Sequence, residues 1–339
     1  MAREYSESAG SPSDSPDCGE FRTHSLVLSG DAAGLRLDQA LARALPQYSR
    51  ARLQGWIEAG AVLVDGRRLR VKDRVVGGEQ VEVAARLEAD ARVAPEAQPL
   101  AVVHQDRALL VINKPAGMVV HPGAGNSSRT LQNALLALDP KLALVPRAGL
   151  VHRLDKDTSG LLVVARTPEA HAALVAALAE REIERTYLAI CSGAMTGGGT
   201  VDAPIGRHRT QRTRMAVQRD GREAVTHYRI AKRYRAHTLA RVQLETGRTH
   251  QIRVHLAHIG YPIVGDPVYG GRGRSPAGCS PALTAALNAF PRQALHAARL
   301  ALTHPMTGRA LEWEAPLADD MALLLSALDL DQRMAEAER

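Results

Sequence analysis

Val151-His152-Arg153-Leu154-Asp155-Lys156-Asp157-Thr158-Ser159-Gly160 gathers three cationic or potentially cationic side chains, two carboxylates and two hydroxyls within ten residues. An apolar lead-in, Ala148-Gly149-Leu150, precedes it, and a strand-like run, Leu161-Leu162-Val163-Val164-Ala165, follows. Charge is thus concentrated between two segments that bury readily. The stretch fits a charged turn, with Asp157, Thr158 and Ser159 as turn residues. It also fits a loop at the rim of a sheet that presents Asp155 as an ionised carboxylate. Other polar blocks along the chain bear on the choice.

Two further polar blocks interrupt apolar segments: Arg185-Thr186-Tyr187 and the run from Glu245 to His255. In the second, Thr246-Gly247 marks a turn, and Ile252 and Val254 suggest an element entering the core with Arg253 beside it. A buried arginine is rare without a carboxylate partner, and Asp155 is the candidate. Such a cation favours the ionised carboxylate that a nucleophile or base requires, although a purely structural ion pair fits the same spacing. Other chemistries find little support. His250 and His255 lack the partners of a zinc site, no phosphate-binding Gly-x-x-x-x-Gly-Lys-Ser/Thr loop or dinucleotide fingerprint is present, and Ser159 lacks a nucleophile elbow. No metal and no nucleotide cofactor is expected.

The 339 residues have room for a catalytic domain and a small module. Residues 1–24, rich in Ser, Pro and acidic residues, read as a flexible tail. Residues 25–85 read as one compact unit. Leu37, Ala40, Leu41 and Ala44 line one face of a helix that Pro46 stops, Ser49 is the N-cap of a second helix over Arg50–Ala59, and Val62-Leu63-Val64 with Asp65-Gly66 make a strand and a turn. Beyond the turn, Arg68, Arg70, Lys72 and Arg74 alternate, so a strand would place all four on one side. A solvated edge strand defended by charge is the simpler explanation. Residues 86–100 read as a linker, 101–328 as the second domain and 329–339 as a charged tail. Within the second domain, Thr130–Leu138 and Pro168–Arg181 read as helices, and strands dominate from there to Leu256.

Composition bounds the partners. Hydrophobic residues make up 45% of the chain but aromatics only 3%, so the core rests on aliphatic side chains. The net charge of +7 favours polyanions. Arg207-His208-Arg209-Thr210-Gln211-Arg212-Thr213-Arg214 carries four arginines in eight residues without a carboxylate, the pattern of a phosphate-gripping arm or of a solubilising loop. Cys18, Cys191 and Cys279 form neither a disulfide framework nor a zinc spacing, which fits a reducing compartment. With no leader-like or membrane-spanning stretch, a cytoplasmic protein is expected, and no membrane partner.

Several of these blocks together resemble one family. His152–Gly160, Asn113-Lys114-Pro115, His121-Pro122-Gly123, Leu244–His255, Gly265-Asp266 and Leu295-His296-Ala297 are similar, in order and spacing, to the RluA family of RNA pseudouridine synthases. Arg36-Leu37-Asp38, Ser49-Arg50 and Ile57–Gly66 resemble an S4 RNA-binding domain, with Asp65 where that domain often has Asn. The S4 pattern, His121–Asn126 and Pro204–His208 point within the family to the RluD type, whose members modify the helix 69 stem-loop of large-subunit ribosomal RNA. The resemblance implies an α+β fold, an S4 module joined to a catalytic domain on a mixed, largely antiparallel sheet. It implies Asp155 as the nucleophile, Tyr187 as the platform that stacks on the base and helps remove its C5 proton, and Arg253 as the partner of the aspartate. Arg153 would fill the space of the flipped nucleotide, with His152 beside it. Arg36, Ser49, Arg50, Arg68, Arg70, Lys72, Arg207, Arg209, Arg212 and Arg214 are the RNA-binding candidates. The partner implied is 23S ribosomal RNA or its large-subunit precursor, handled by a monomer without cofactor. A different ribosomal or transfer RNA target, or a non-catalytic RNA-binding assembly factor for the ribosome, remains compatible with the same residues.

Overall fold

The computed structural model describes residues 20–48, 50–87, 93–123, 126–211, 214–270 and 278–337. Ser49 and Arg212 lie outside them, as does most of the expected N-terminal tail. The chain divides into two compact units, residues 1–89 and 90–339.

In the first unit, β1 (Glu20–Val27), α1 (Leu37–Ala44), α2 (Arg50–Glu58), β2 (Val62–Val64) and β3 (Gln80–Leu87) make a three-stranded antiparallel sheet, order β1-β3-β2, with two helices. Leu37, Leu41 and Leu53 are fully buried, as their helical spacing requires. Asp65 and Gly66 both take positive φ, 47° and 72°, the geometry of a tight two-residue hairpin turn. Two expectations change here. Strand β1 already includes Glu20, ahead of the expected start at Ser25, and pairs along its whole length with β3. The basic run forms no strand, since both edges of β3 are taken by β1 and β2, leaving it only the single bridges Val64↔Arg67 and Arg36↔Arg74.

The second unit is built on a nine-stranded sheet. Its elements are β4 (Ala101–Gln105), β5 (Leu109–Lys114), α3 (Leu131–Leu138), β6 (Ser159–Ala165), α4 (Pro168–Ala179), β7 (Glu184–Ser192), β8 (Gly199–Asp202), β9 (Ile205–Arg207), β10 (Met215–Val217), β11 (Val225–Arg233), β12 (His237–Leu244), α5 (Gln251–His258), α6 (Pro281–Ala289), β13 (Leu295–Thr303), β14 (Ala310–Glu314) and α7 (Asp319–Ala337). The order β4-β5-β6-β13-β7-β12-β11-β8, with β14 on β13, is antiparallel except for the short parallel contact of β13 with β6. β9 and β10 form a separate hairpin. The uninterrupted apolar runs in β5 and β6 follow from burial on both faces. Leu110, Ile112, Leu162 and Val164 pack with α3 and α7 residues, while Leu109, Val111, Leu161 and Val163 pack with Ala170 and Leu174 of α4.

Two further expectations change in this unit. Residues 251–258 are a helix, although Ile252 and Val254 alternate as in a strand; every side chain from Gln251 to Leu256 is buried, so alternation carried no information about period. The C-terminal segment expected as a tail from 329 continues α7 to Ala337. Met321, Leu324 and Leu328 seat that helix in the core, and the Asp331 carboxylate accepts the N–H of Ser280 at the start of α6.

Candidate active site

Three strands converge on the loop that carries Asp155. β13 sets Ala297 opposite both Gly160, the last residue of the quoted stretch, and Tyr187 on β7. Gly160 has φ +111°, and a Cβ there would run into the Ala297 main chain, so only glycine allows the close approach. The loop before it is held by groups from four directions. The buried Lys114 ammonium donates to the carbonyls of Pro115, Met118 and Lys156, at 2.8, 3.0 and 2.9 Å. Arg292 donates to the Asp157 carbonyl and pairs through its other nitrogens with Asp320. Gln293 donates to the Thr158 hydroxyl, and Ser159 shares a hydrogen bond with His296. Burial pushes Lys114 down to about 7, against the opposing pull of Asp157 and Asp155.

This bracing leaves the Asp155 carboxylate facing an open cavity of about 550 Å³. Arg253 Nη1 donates to Asp155 Oδ2 at 3.0 Å. The same guanidinium makes a fork with Asp266, Nε to Oδ2 at 2.7 Å and Nη2 to Oδ1 at 2.9 Å. The side chain of Asp266 is completely buried and that of Arg253 nearly so. Burial favours neutral Asp266, but the guanidinium and the N–H groups of Tyr269 and Val268 outweigh it and lower its pKa. Asp266, which the sequence shows only as a turn residue beside Gly265, therefore aims Arg253 at Asp155. His250 brings Nε2 to 4.0 Å from Asp155 Oδ1.

Tyr187 lines the same cavity and is buried, and burial raises the pKa of its hydroxyl, as does the Asp155 charge to a smaller degree. Arg147, Arg153, Arg181, Arg185, Arg248 and Arg253 line the cavity against only two carboxylates, Asp155 and Glu245. The mouth is thus suited to an anionic ligand. Arg153 stands exposed on the rim. His152 accepts the Val163 N–H at Nε2, while its Nδ1 is buried with no partner among the described residues. Just upstream, Arg147, Ala148 and Gly149 take positive φ of 53°, 52° and 81°, a left-handed turn that non-glycine residues adopt at a cost of about 1–3 kcal/mol each. Among the described residues no cluster of His, Cys, Asp or Glu is placed to hold a metal, and no helix is long and apolar enough to cross a membrane.

The candidate RNA-binding residues divide into two groups. Arg36 and Arg50 converge with Gln54 on the fully buried Asp38. Burial works to raise the pKa of Asp38, yet hydrogen bonds from Gln54 and Arg50 and the charge of Arg36 hold it down. Both arginines thus brace the first unit, although each keeps part of its surface in solvent. Arg68, Arg70 and Lys72 are exposed in irregular backbone, with Arg70 also paired to Asp73. In the β9–β10 hairpin Arg207 and Arg209 are exposed. Arg214 turns inward instead, donating to Gln211 and to the Val268 carbonyl and stacking on Tyr269.

Burial keeps several histidines neutral near the cavity, and this sets a pH dependence. His152 is pushed down to about 3 by burial and by Arg185, and His121 and His171 to about 4 by burial and by Arg147, with Arg153 adding to the effect at His121. Because the folded values lie below the ordinary ~6.5, the unfolded chain binds more protons between them. Their contribution to stability is complete above that value and declines as the pH falls, by up to ~1.4 kcal/mol per pH unit for each histidine. The urea midpoint is expected to drop steadily between neutral pH and about pH 4. An unchanged midpoint over that interval would contradict the buried neutral state.

Comparison with known proteins agrees with this geometry. The RNA pseudouridylate synthase family profile matches residues 108–258, and the S4 domain profile matches residues 35–81. The chain is 54% identical over 314 residues to the ribosomal large subunit pseudouridine synthase D of Xanthomonas campestris pv. campestris, covering 92% of this chain and 95% of that protein. It is 55% identical over 302 residues to the protein of the same name from Pseudomonas aeruginosa, covering 89% and 94%. Among solved structures, human RNA pseudouridylate synthase domain containing 4 superposes with a TM-score of 0.53 at 29% identity, covering 68% of this chain and 93% of that one. With the S4 fold in the first unit and a carboxylate–arginine pair in an arginine-lined cavity of the second, the chain belongs to the RluA-type RNA pseudouridine synthases, isomerases of uridine in RNA.

Proposed function

We propose that this enzyme isomerises uridine to pseudouridine in large-subunit ribosomal RNA, within the helix 69 stem-loop, with Asp155 as nucleophile. The observation that carries the assignment of roles is the 3.0 Å pair of Arg253 with Asp155 at the wall of a cavity that Tyr187 also lines. The target nucleotide leaves its stack, which costs a few kcal/mol. Stacking on Tyr187 offsets this by ~1–3 kcal/mol, while Arg153 enters the vacated space in the RNA. Asp155 attacks C1′ as the N1–C1′ bond breaks, the uracil turns, and C5 then bonds to C1′ as the Asp155–C1′ bond breaks. The C5 proton departs and N1 gains one, so every atom of the nucleotide is accounted for. Arg253 holds the carboxylate oriented before the attack, and the arginines of the mouth hold the flanking phosphates.

Support for the large-subunit target comes from the names of the relatives and from the S4 domain. The test is tritium release from C5-labelled uridine in transcripts with and without the helix 69 stem-loop. Release from the first and not the second is expected. Release from both, or from neither, removes the proposed target, and mapping of pseudouridines in cells lacking the protein would then locate the true one.

Exposed Arg207 and Arg209 are the residues of the hairpin proposed to contact phosphate. Replacing both with Ala should weaken RNA binding about uniformly across sequences and reduce the salt slope of log K by about one per lost contact. An unchanged slope in a filter-binding titration would reassign the hairpin to a solubilising role.

A further inference from the structure

Tyr269 has no place in the chemistry above, yet it touches almost every part of the apparatus. It lies three residues beyond Asp266, and its main-chain N–H donates to that carboxylate. Its ring lies against the Arg253 guanidinium on the site side, at 5.0 Å from the centroid, and against that of Arg214 on the hairpin side, at 5.4 Å. Its hydroxyl oxygen accepts the main-chain N–H of Met215, the first residue of β10, at 2.9 Å. The same oxygen is 2.9 Å from Nδ1 of His250, whose Nε2 is 4.0 Å from Asp155 Oδ1.

Hydrogen-bond accounting distinguishes the two neutral forms of His250. With the proton on Nδ1, the Tyr269 oxygen would receive two N–H donors and its own hydroxyl proton would lack this acceptor. The lone pair of Nε2 would then face the Asp155 carboxylate. With the proton on Nε2, the Tyr269 hydroxyl donates to Nδ1 and the ring turns an N–H dipole toward the carboxylate. Each contact improves in the second form. Burial, the largest influence, lowers the pKa of His250, as do Arg253 and Arg153; Asp155 and Asp266 oppose them, and the neutral ring prevails. The backbone fixes the ring's origin, since His250 has φ 58° immediately before α5 and the next residue, Gln251, is held by Thr246 and the Arg248 N–H.

We propose that Tyr269 is a positioning residue for the isomerisation: its hydroxyl, anchored on the main chain of the basic hairpin, holds His250 in the Nε2–H form and aims that N–H at Asp155. At 4.0 Å the contact between His250 and Asp155 is electrostatic rather than a hydrogen bond. It acts on Oδ1 of the carboxylate, while Arg253 holds Oδ2. The hairpin and the reacting carboxylate are thereby linked through two side chains, Tyr269 and His250. The effect on rate rests on the assignment of Asp155 as nucleophile, whereas the state of His250 does not.

The first measurement is made on the unaltered protein. In the proton–nitrogen correlation spectrum of protein carrying isotopically labelled histidine, at neutral pH, His250 is assigned by its absence in His250→Gln. A protonated Nε2 and a bare Nδ1 are expected, and the reverse pattern overturns the proposal. The second uses Tyr269→Phe, which keeps the ring between the two arginines and removes only the hydroxyl. Loss of this one hydrogen bond should slow the single-turnover rate about tenfold and convert His250 to a mixture of forms, with RNA affinity changed by less than about twofold. An unchanged rate, an unchanged His250 signal, or a loss confined to RNA affinity overturns it. If Asp155→Asn retained activity while His250 kept the Nε2–H form, the nucleophile assignment would fail and the assigned state of His250 would stand.

Discussion

Asp155→Asn is expected to reduce single-turnover conversion of uridine to pseudouridine by a factor on the order of 10⁴ or more, the scale of loss when a covalent nucleophile is removed. The substitution keeps the shape of the side chain, and its amide oxygen can still accept the Arg253 Nη1 hydrogen bond now made at 3.0 Å. It removes the charge that attacks. Stability should change little, because Arg253 retains its two-bond fork with Asp266 and no buried cation is stranded. RNA affinity should hold or rise slightly, since one negative charge leaves a cavity lined by six arginines. The discriminating measurements are tritium release, equilibrium RNA binding and a urea midpoint on the same preparation. Activity comparable to the wild type would remove Asp155 from the mechanism. Equal losses of activity and stability would make its role structural.

Arg253→Met is expected to produce the largest loss of stability, about 3–5 kcal/mol, the range for breaking one side of a buried ion pair. Asp266 is completely buried and relies on the guanidinium for two of its hydrogen bonds. Without the cation it must protonate or unfold its surroundings. Asp155, partly open to the cavity, would lose its orienting donor but not its contact with solvent, so activity should fall even where the variant remains folded. Arg253→Lys separates the two roles. An ammonium can pair with Asp266 or reach toward Asp155, but it lacks the planar fork that serves both at once. Lysine should therefore recover much of the stability and little of the activity. Recovery of both by lysine would show that charge alone suffices.

Local patterning made much of the fold legible. The helices over Leu37–Ala44 and Arg50–Glu58, the Asp65-Gly66 turn and the buried strand carrying the run Leu161–Ala165 follow from spacing, turn chemistry and a continuous apolar run. Patterning failed where pairing is distant or burial complete. β1 has little apolar signature of its own and depends on a partner more than fifty residues along the chain, Gln80 opposite Val27 at the near end. The helix Gln251–His258 buries every residue from Gln251 to Leu256, so hydrophobicity could not reveal its period. α7 extends past the expected end of order because Leu328 and Asp331 find partners in the core and at the start of α6.

The same division holds in the active site. Residue types pointed to Asp155 as a candidate and suggested Arg253 as its partner, the family resemblance added Tyr187, and all three line one cavity. Those are chemical identities, carried by each residue regardless of where the chain goes. Which arginines would be free was not legible: Arg36 and Arg50 bend onto Asp38, and Arg214 turns from the hairpin surface onto Tyr269. Nor was the support of Asp155, in which Asp266 grips Arg253, Lys114 and Arg292 hold the loop, and Tyr269 reaches His250. The sequence by itself determined the candidate reactive groups and the charge that draws a polyanion. The tertiary structure alone decided which charges are neutralised and which remain available, because pairing depends on distances of about 3 Å between residues that, Arg36 and Asp38 apart, the chain separates by twelve to more than a hundred positions.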